Sequence, residues 1–365
     1  MKIEKVTLTN FRNYSKQTMD LGSGIHFIIG ANGEGKTNFL EALYVLALAK
    51  SYKADDADLI RYGEDFAKIQ AVIDTRERKT DLTMIVTEIG KKAIYNGYEV
   101  KRLSEYIGNL NVVSFLPEDT NLVKGSPRER RYYIDVFLGQ IDRNYLDDLS
   151  KYKHILKQRN ELLKKMSDSG SNDYTLLDVI TEQLADQADL ISRRRLVFQS
   201  EINELMQQMY QRLSNKKEQF TIKYLPSIPV EDTTAFLKSK YRQDLALKAS
   251  GYGPHRDDYD FMFGEYIAKS HASQGEQRMM ILALSMGMAE MVYKTKKERP
   301  VFLLDDVFSE LDSLRQNRLI EYLAASDMQS VITSTNISEI KDSIKKQAKI
   351  FRVTKGYIKE ELNTW

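Results

Sequence analysis

The sequence predicts an α/β fold built on a phosphate-binding loop and interrupted in mid-chain by a mostly helical lobe. Three observations carry this. Gly30-Ala31-Asn32-Gly33-Glu34-Gly35-Lys36-Thr37 matches G-x-x-x-x-G-K-[ST] and lies between an apolar run and a helical pattern. A second apolar run, Pro300–Leu304, ends in the paired carboxylates Asp305-Asp306. Between these two features, residues from about 126 to 215 carry no convincing strand signal.

Taken in order, residues 3–8 alternate loosely and predict an edge strand. Phe11-Arg12-Asn13-Tyr14 follows. Arg12 stands one strand ahead of the loop, which makes it a candidate nucleotide contact as well as an ordinary surface arginine. Ile25–Ile29 reads as a buried strand feeding the loop. From Gly30 to Gly35 the glycines let the backbone wrap phosphate oxygens, with several N–H groups aimed at the anion. The start of the next helix adds its positive end. Lys36 can neutralise the β- and γ-phosphates, and the Thr37 hydroxyl can ligate Mg²⁺. Phe39, Leu40, Ala42, Leu43, Val45, Leu46 and Ala47 predict a helix apolar on nearly every side.

Residues 67–74, 81–89 and 92–100 predict strands, and Tyr95-Asn96-Gly97-Tyr98 predicts a tight hairpin. Val112–Phe115 is a further short strand, closed by Leu116-Pro117-Glu118-Asp119. Gly125-Ser126-Pro127 then breaks the chain. Apolar residues at helical spacing run from Leu146 to Leu163 and again from Leu176 to Met209, either side of a polar loop at 167–172. That pattern predicts an antiparallel helical hairpin. Strand signals return at 220–224 and 259–263, with a helical segment over 231–249 between them. The expected division is therefore a first nucleotide-binding part over 1–115, an inserted lobe over 116–261 and a second nucleotide-binding part over 262–365.

The last third supplies the remaining chemistry. A carboxylate ending a buried strand beside a phosphate loop holds Mg²⁺, and Asp305 is the candidate; Asp306 is then placed to orient or deprotonate an attacking water. Ser309-Glu310-Leu311-Asp312 follows directly. Ser273-Gln274-Gly275-Glu276-Gln277 opens a helix and makes a second anion-binding start. One γ-phosphate does not need two such sites in one chain. A head-to-tail dimer, with each serine loop on the other copy's ATP, uses both.

Bulk properties exclude other classes. The 365 residues carry a formal charge of +2, so any nucleic-acid surface must be local. The absence of cysteine removes disulfides, thiolate zinc sites and cysteine nucleophiles. No apolar run approaches the ~18 residues needed to span a bilayer, and the N-terminus lacks a signal-peptide core. The expectation is a soluble, cytoplasmic protein.

In order, Gly30–Thr37, Ser273–Gln277, Leu303–Asp306 and Ser309–Asp312 resemble the Walker A, signature, Walker B and D-loop motifs of ABC-type ATPases. The closer resemblance is to the RecF family of bacterial recombination mediators. Asn10–Tyr14, Leu40-Glu41-Ala42, Pro117–Asp119, Lys124–Pro127 with Arg130-Arg131, and Gly253-Pro254-His255-Arg256-Asp257-Asp258 all match it. The resemblance runs from residue 2 to about 336. It implies an SMC-like ATPase head without the long coiled coil, which binds DNA near single-strand/double-strand junctions as an ATP-dependent homodimer. It further implies partnership with RecO and RecR in replacing single-strand-binding protein at gaps, with slow hydrolysis timing release.

Residue by residue, the resemblance implies that Lys36 and Thr37 bind phosphate and Mg²⁺, that Asp305 completes the metal site and that Asp306 is the catalytic carboxylate. It puts Ser273, Gln274, Gly275 and Gln277 on the partner's ATP, Ser309 and Asp312 in the D-loop, and Arg12 and Asn13 against the nucleotide. Glu118 or Asp119 falls near the lid segment. Asp306 stands where most relatives have Glu, consistent with weak turnover. The segment Val331–Thr335 ends without the switch histidine of many relatives, which leaves Ser334 or Thr335 to sense the γ-phosphate. Glu276 replaces an expected Gln. Candidate DNA contacts are Arg128, Arg130 and Arg131, the run Arg193-Arg194-Arg195, and Lys91-Lys92, each also readable as a solvated face. A transporter subunit would carry the histidine and a shorter insert, an SMC protein longer helices, and a small-molecule kinase no use for 273–277 or 309–312.

Overall fold

The computed structural model describes residues 1–214, 218–229, 231–338 and 340–361. They form two compact units, one of Met1–Asn121, Leu205–Glu218 and Ser273–Trp365, the other of Leu122–Glu204 and Gln219–Ala272.

The first unit holds two sheets. One has the strand order Tyr357–Glu361, Lys349–Thr354, Ile25–Ile29, Ser330–Ser334, Val301–Leu304, Val112–Phe115, and is parallel except at its first pair. Leu304 is level with Phe115 on one side and Ile332 on the other, and Ser334 with Ile29. Parallel register therefore brings the strand ends that carry Gly30, Asp305 and Ser334 to one edge, where open α/β sheets bind ligands. The helix Lys36–Leu48 that follows the loop is buried along nearly its whole length, which is why its apolar pattern has no polar face.

The other sheet is antiparallel, in the order Tyr14–Asp20, Lys2–Phe11, Phe66–Asp74, Lys79–Thr87, Gly90–Tyr95, Tyr98–Glu99. The first strand is thus interior, not the expected edge. Its edge place is taken by Tyr14–Asp20, whose polar run Ser15-Lys16-Gln17-Thr18 hides a strand in the sequence. The hairpin at Asn96-Gly97 forms as predicted, with φ of 48° and 82°.

The second unit is the helical insertion. Helix Pro127–Ile141 starts on a capping box in which Ser126 and Glu129 satisfy each other's backbone N–H groups, with Pro127 at the first helical position. Asp142 ends that helix and caps the next, Arg143–Ser169, so the long helical region is two helices. The hairpin partner, Thr175–Ser214, meets Arg143–Ser169 through a core of Leu163, Met166, Leu177 and Tyr241. A small sheet of Phe220–Leu225, Asp258–Phe263 and Tyr266–Ile267 completes the unit.

The boundaries differ from those expected. The insertion begins at Leu122, ends at Ala272, and returns Leu205–Glu218 to the first unit. Within that unit, Arg318 donates to the Leu213 carbonyl (2.9 Å) and the Arg212 guanidinium lies 5.1 Å from the Tyr322 ring. An unbroken helical period gives no sign that a helix has changed its neighbours.

Candidate functional site

The phosphate loop is closed on itself. The Lys36 ammonium donates to the carbonyls of Gly30 (2.8 Å) and Ala31 (2.9 Å), with the residue only 7% exposed. Burial lowers its pKa, while Asp306, Asp305 and Glu34 work to raise it. The neighbouring Thr37 hydroxyl donates to Asp305 Oδ1 (3.0 Å), joining the loop to the end of the strand Val301–Leu304. Asp305 is buried, its N–H bound to the Phe115 carbonyl (3.0 Å). Burial raises its pKa, and hydrogen bonds from Thr333 and Thr37 oppose the rise. A hard cation fits this arrangement: a hydroxyl and a carboxylate oxygen are Mg²⁺ ligands, and a buried carboxylate gains from a positive charge. No group of three or more His, Cys, Asp or Glu that could hold a metal occurs among the described residues. The rest of the coordination shell would be phosphate oxygens and water, the usual mode for Mg²⁺.

Thr333 is a residue the sequence did not single out. Its hydroxyl donates to Asp305 Oδ1 (2.6 Å) and accepts the Asp306 N–H (2.9 Å), so one side chain fixes both carboxylates. Only the parallel register of Ser330–Ser334 beside Val301–Leu304 places it there. Asp306 has φ 47°, a left-handed conformation that strains a non-glycine residue by about 1–2 kcal/mol. Its carboxylate accepts from the Ser309 hydroxyl (3.0 Å), which also lies 2.8 Å from the Asp306 carbonyl. The strained turn aims Asp306 at a cavity of about 160 Å³ that Ser309, Ser334 and Thr335 also line. The Ser334 hydroxyl is turned to the Asn336 carbonyl (2.6 Å), whereas Thr335 is exposed.

Arg12 and Asn13 brace the loop. Arg12 makes two 2.9 Å bonds to Glu41, a fully buried carboxylate in the loop helix that also accepts from Ser51. Its guanidinium is thus engaged by an internal partner. Asn13 donates to the Glu34 carbonyl (2.9 Å) and accepts from Asn38 (3.0 Å), while the Tyr14 hydroxyl donates to the Gly35 carbonyl (2.8 Å). A Cβ on Gly35 would come within 2.4 Å of the Asn13 amide, so this position admits only glycine. The turn between Lys349–Thr354 and Tyr357–Glu361 presses on the loop from the other side. Gly356 N–H donates to the Glu34 carbonyl (3.1 Å) and Lys355 N–H to the Glu34 carboxylate.

Ser273 caps the helix Gln274–Lys296 in a second capping box. Its N–H and hydroxyl both donate to Glu276, which explains the acidic residue at that position. Ser273, Gln274 and Gly275 are exposed; Gln277 is 4% exposed. Gln277 therefore faces its own protomer, contrary to the expectation that it reaches a partner's nucleotide. One turn into the helix the face that carries Ser273 and Gln274 is already buried, so Gln277 cannot present itself with them. Asp312 caps the helix Ser313–Ala325 by accepting the Arg315 N–H (2.9 Å). In the lid segment, Asp119 accepts the Leu116 N–H (2.9 Å) and Glu118 is exposed.

The arginines expected at DNA divide. Arg130 is buried and binds both oxygens of Asp258 (2.8 and 2.9 Å). Arg195, 1% exposed, binds Asp135, Asp257 and the Pro254 carbonyl. Both are internal braces and are withdrawn as DNA contacts, because a buried guanidinium already paired has no donor to offer. Arg194 pairs with Asp142 and Asp148, and Lys91 with Asp56. Arg128 and Arg193 are exposed, and Arg131 is half-buried.

The family model described as the RecF/RecN/SMC N terminal domain matches residues 2–359. A DNA replication and repair protein RecF of Shouchella clausii is 41% identical over 370 residues, covering 98% of this chain and 99% of that protein. The chain belongs to the RecF family. The Geobacillus kaustophilus RecF is 39% identical over 98% of the chain and 99% of its own length. Among solved structures, one described as the recombination mediator protein RecF-ATP in the RecFOR pathway superposes with a TM-score of 0.90. It is 29% identical, covering 99% of this chain and 97% of that one. An SMC head bound to the winged-helix domain of ScpA aligns at a TM-score of 0.58 and 19% identity, a likeness of fold. The fold is thus that of an SMC-like, ABC-type ATPase head. No helix among the described residues is long and apolar enough to cross a membrane.

Proposed function

We infer that this RecF-family chain is a cytoplasmic ATP-switched DNA-binding protein, a recombination mediator acting with RecO and RecR in gap repair and at replication forks. The observation that carries the reading is the hydrogen bond between Thr37 and Asp305, two residues 268 positions apart that make a metal-nucleotide site only when adjacent. The fit to a RecF structure described with ATP supports it.

In this reading Gly30–Thr37 binds the triphosphate. Lys36 exchanges its carbonyl partners for phosphate oxygens, a gain for an ammonium whose charge burial disfavours. Bound Mg²⁺, held by Thr37 and Asp305, would neutralise developing charge on the phosphates. Asp306 orients or deprotonates the water, with Ser309 on its carboxylate fixing its direction. The exposed start of the helix Gln274–Lys296 supplies Ser273, Gln274 and Gly275 to the nucleotide of a second, head-to-tail copy. ATP then acts as the adhesive of a dimer that binds DNA at single-strand/double-strand junctions. Slow, DNA-stimulated hydrolysis, in keeping with the short reach of Asp306, releases it.

Sizing and retention on gapped DNA, with and without ATP, test this. ATP should drive dimerisation and DNA binding in the wild type. Lys36→Met should abolish both and Asp306→Asn should prolong both. A monomer indifferent to ATP and to DNA would sink the reading.

A further inference from the structure

The segment Gly253-Pro254-His255-Arg256-Asp257-Asp258 takes no part in the nucleotide chemistry, yet the insertion is built to hold it still. Gly253 has φ 130°, and a Cβ there would lie 2.3 Å from the Tyr152 hydroxyl, so no other residue fits. Its N–H and carbonyl both bond Ser227 Oγ (2.8 and 2.9 Å). His255 is held between the Tyr152 hydroxyl (2.6 Å) and the Ser250 carbonyl (3.1 Å). The Asp257 carboxylate takes Arg195, the Ser227 N–H and the Tyr224 hydroxyl, and its carbonyl takes Arg131. Arg130 grips Asp258 with two bonds.

Arg256 is the exception. Its N–H is fixed to the Gly253 carbonyl (2.7 Å), but its side chain is exposed and makes no ion pair or hydrogen bond among the described residues. The nearby acids Asp135, Asp257 and Asp258 are each engaged by an arginine. The Arg256 guanidinium is left facing outward without an acidic partner among the described residues. Burial pushes the pKa of the neighbouring His255 down to about 4, helped by the charges of Arg256 and Arg131, so the ring is neutral at neutral pH and the positive charge there is that of the arginines. Arg128, also exposed, lies one turn before Arg131 on the helix Pro127–Ile141.

We propose that Arg256 is a phosphate-binding residue for DNA, a guanidinium fork carried on a rigid loop that the buried arginines 130 and 195 hold in place. The proposal rests on the DNA-binding reading above. A planar guanidinium takes a phosphodiester bidentately, and a mount already ordered loses little freedom on binding. Such a contact carries no sequence preference and is sensitive to salt.

Affinity of the full-length protein for labelled gapped duplex, with ATP, measured between about 50 and 200 mM salt, tests it. Arg256→Gln should weaken binding about tenfold and lower the slope of log affinity against log salt by about 0.9. Arg256→Lys should keep the slope and bind less tightly than the wild type. Melting temperature and ATP-driven dimerisation should match the wild type in both, since the native side chain makes no hydrogen bond or ion pair among the described residues. Unchanged affinity and slope in Arg256→Gln, beside a wild type that binds DNA, overturns the proposal alone. Intact DNA binding with lost binding of purified RecR also overturns it and assigns the arginine to a protein. A wild type that does not bind DNA removes the underlying reading and the proposal together.

Discussion

Asp305 is held by Thr37 and Thr333 in a buried pocket that works against its charge. Its folded-state pKa is raised, so the folded protein favours the protonated carboxyl. The stability linked to this group is full below the ordinary carboxylate pKa and is lost as pH rises through the raised value. Asp305→Asn should therefore raise the melting temperature of the nucleotide-free protein at neutral pH, while abolishing Mg²⁺-dependent ATP turnover. Melting curves at neutral pH and near pH ~3.5 check this, because the gain should vanish where the carboxyl is protonated in both states. A neutral-pH melting temperature below that of the wild type would contradict it. Thr333→Val keeps the shape but strips the hydroxyl shared by Asp305 and the Asp306 N–H. It should cost about 1–3 kcal/mol in denaturant unfolding and slow single-turnover hydrolysis, because Asp306 is no longer aimed.

At the scale of elements, the phosphate loop is shaped by neighbours as much as by its own glycines. A Cβ on Gly356 would approach the Asn13 carbonyl to 2.6 Å, in a residue with φ 74°. Gly356→Ala should therefore displace the turn that braces Glu34 and weaken nucleotide binding several-fold, although the loop sequence is untouched. Titration with a fluorescent ATP analogue reads this, and wild-type affinity would count against the brace. In the proposed dimer the helix Gln274–Lys296 lets stability be tested apart from assembly. Ser273→Ala removes an N-cap worth about 1 kcal/mol and, in the proposed dimer, the group offered to the partner's nucleotide, whereas Glu276→Ala removes only the reciprocal half of the capping box. Both should lower the melting temperature; Ser273→Ala should in addition weaken ATP-driven dimerisation in sedimentation.

For the whole molecule, the insertion is a unit with its own polar core. Arg159 is fully buried, pairs with Asp244 (2.8 Å) and also bonds Ser250 and Thr181. Arg159→Met would strand the Asp244 charge, at a cost of about 3–5 kcal/mol. The first unit contains the residues of the proposed nucleotide site, so at a temperature where that variant remains folded, ATP-analogue binding should persist. Loss of nucleotide binding in a variant that is still folded would show that the two units are not separable in this way.

Gly30–Thr37 and Asp305-Asp306 were legible in the sequence because a phosphate loop needs its residue types at fixed local spacing, flanked by a strand and a helix. The helical insertion was legible for the same reason, as period alone marks it. Which polar residue faces which neighbour is set by register and packing between distant segments, and one chain of letters does not carry it. Arg193, Arg194 and Arg195 read alike in the sequence, yet the first is exposed, the second ion-paired and the third sealed inside. Likewise Ser273 and Gln277 sit one turn apart on one helix with opposite exposure, and Thr333 reaches Asp305 only because two strands lie parallel. The sequence by itself determined the fold class and named the residues on which the proposed nucleotide chemistry rests. Tertiary structure alone decided which side chains support that chemistry from within and which are left to meet another molecule, since burial and pairing come from contacts between residues far apart in the chain.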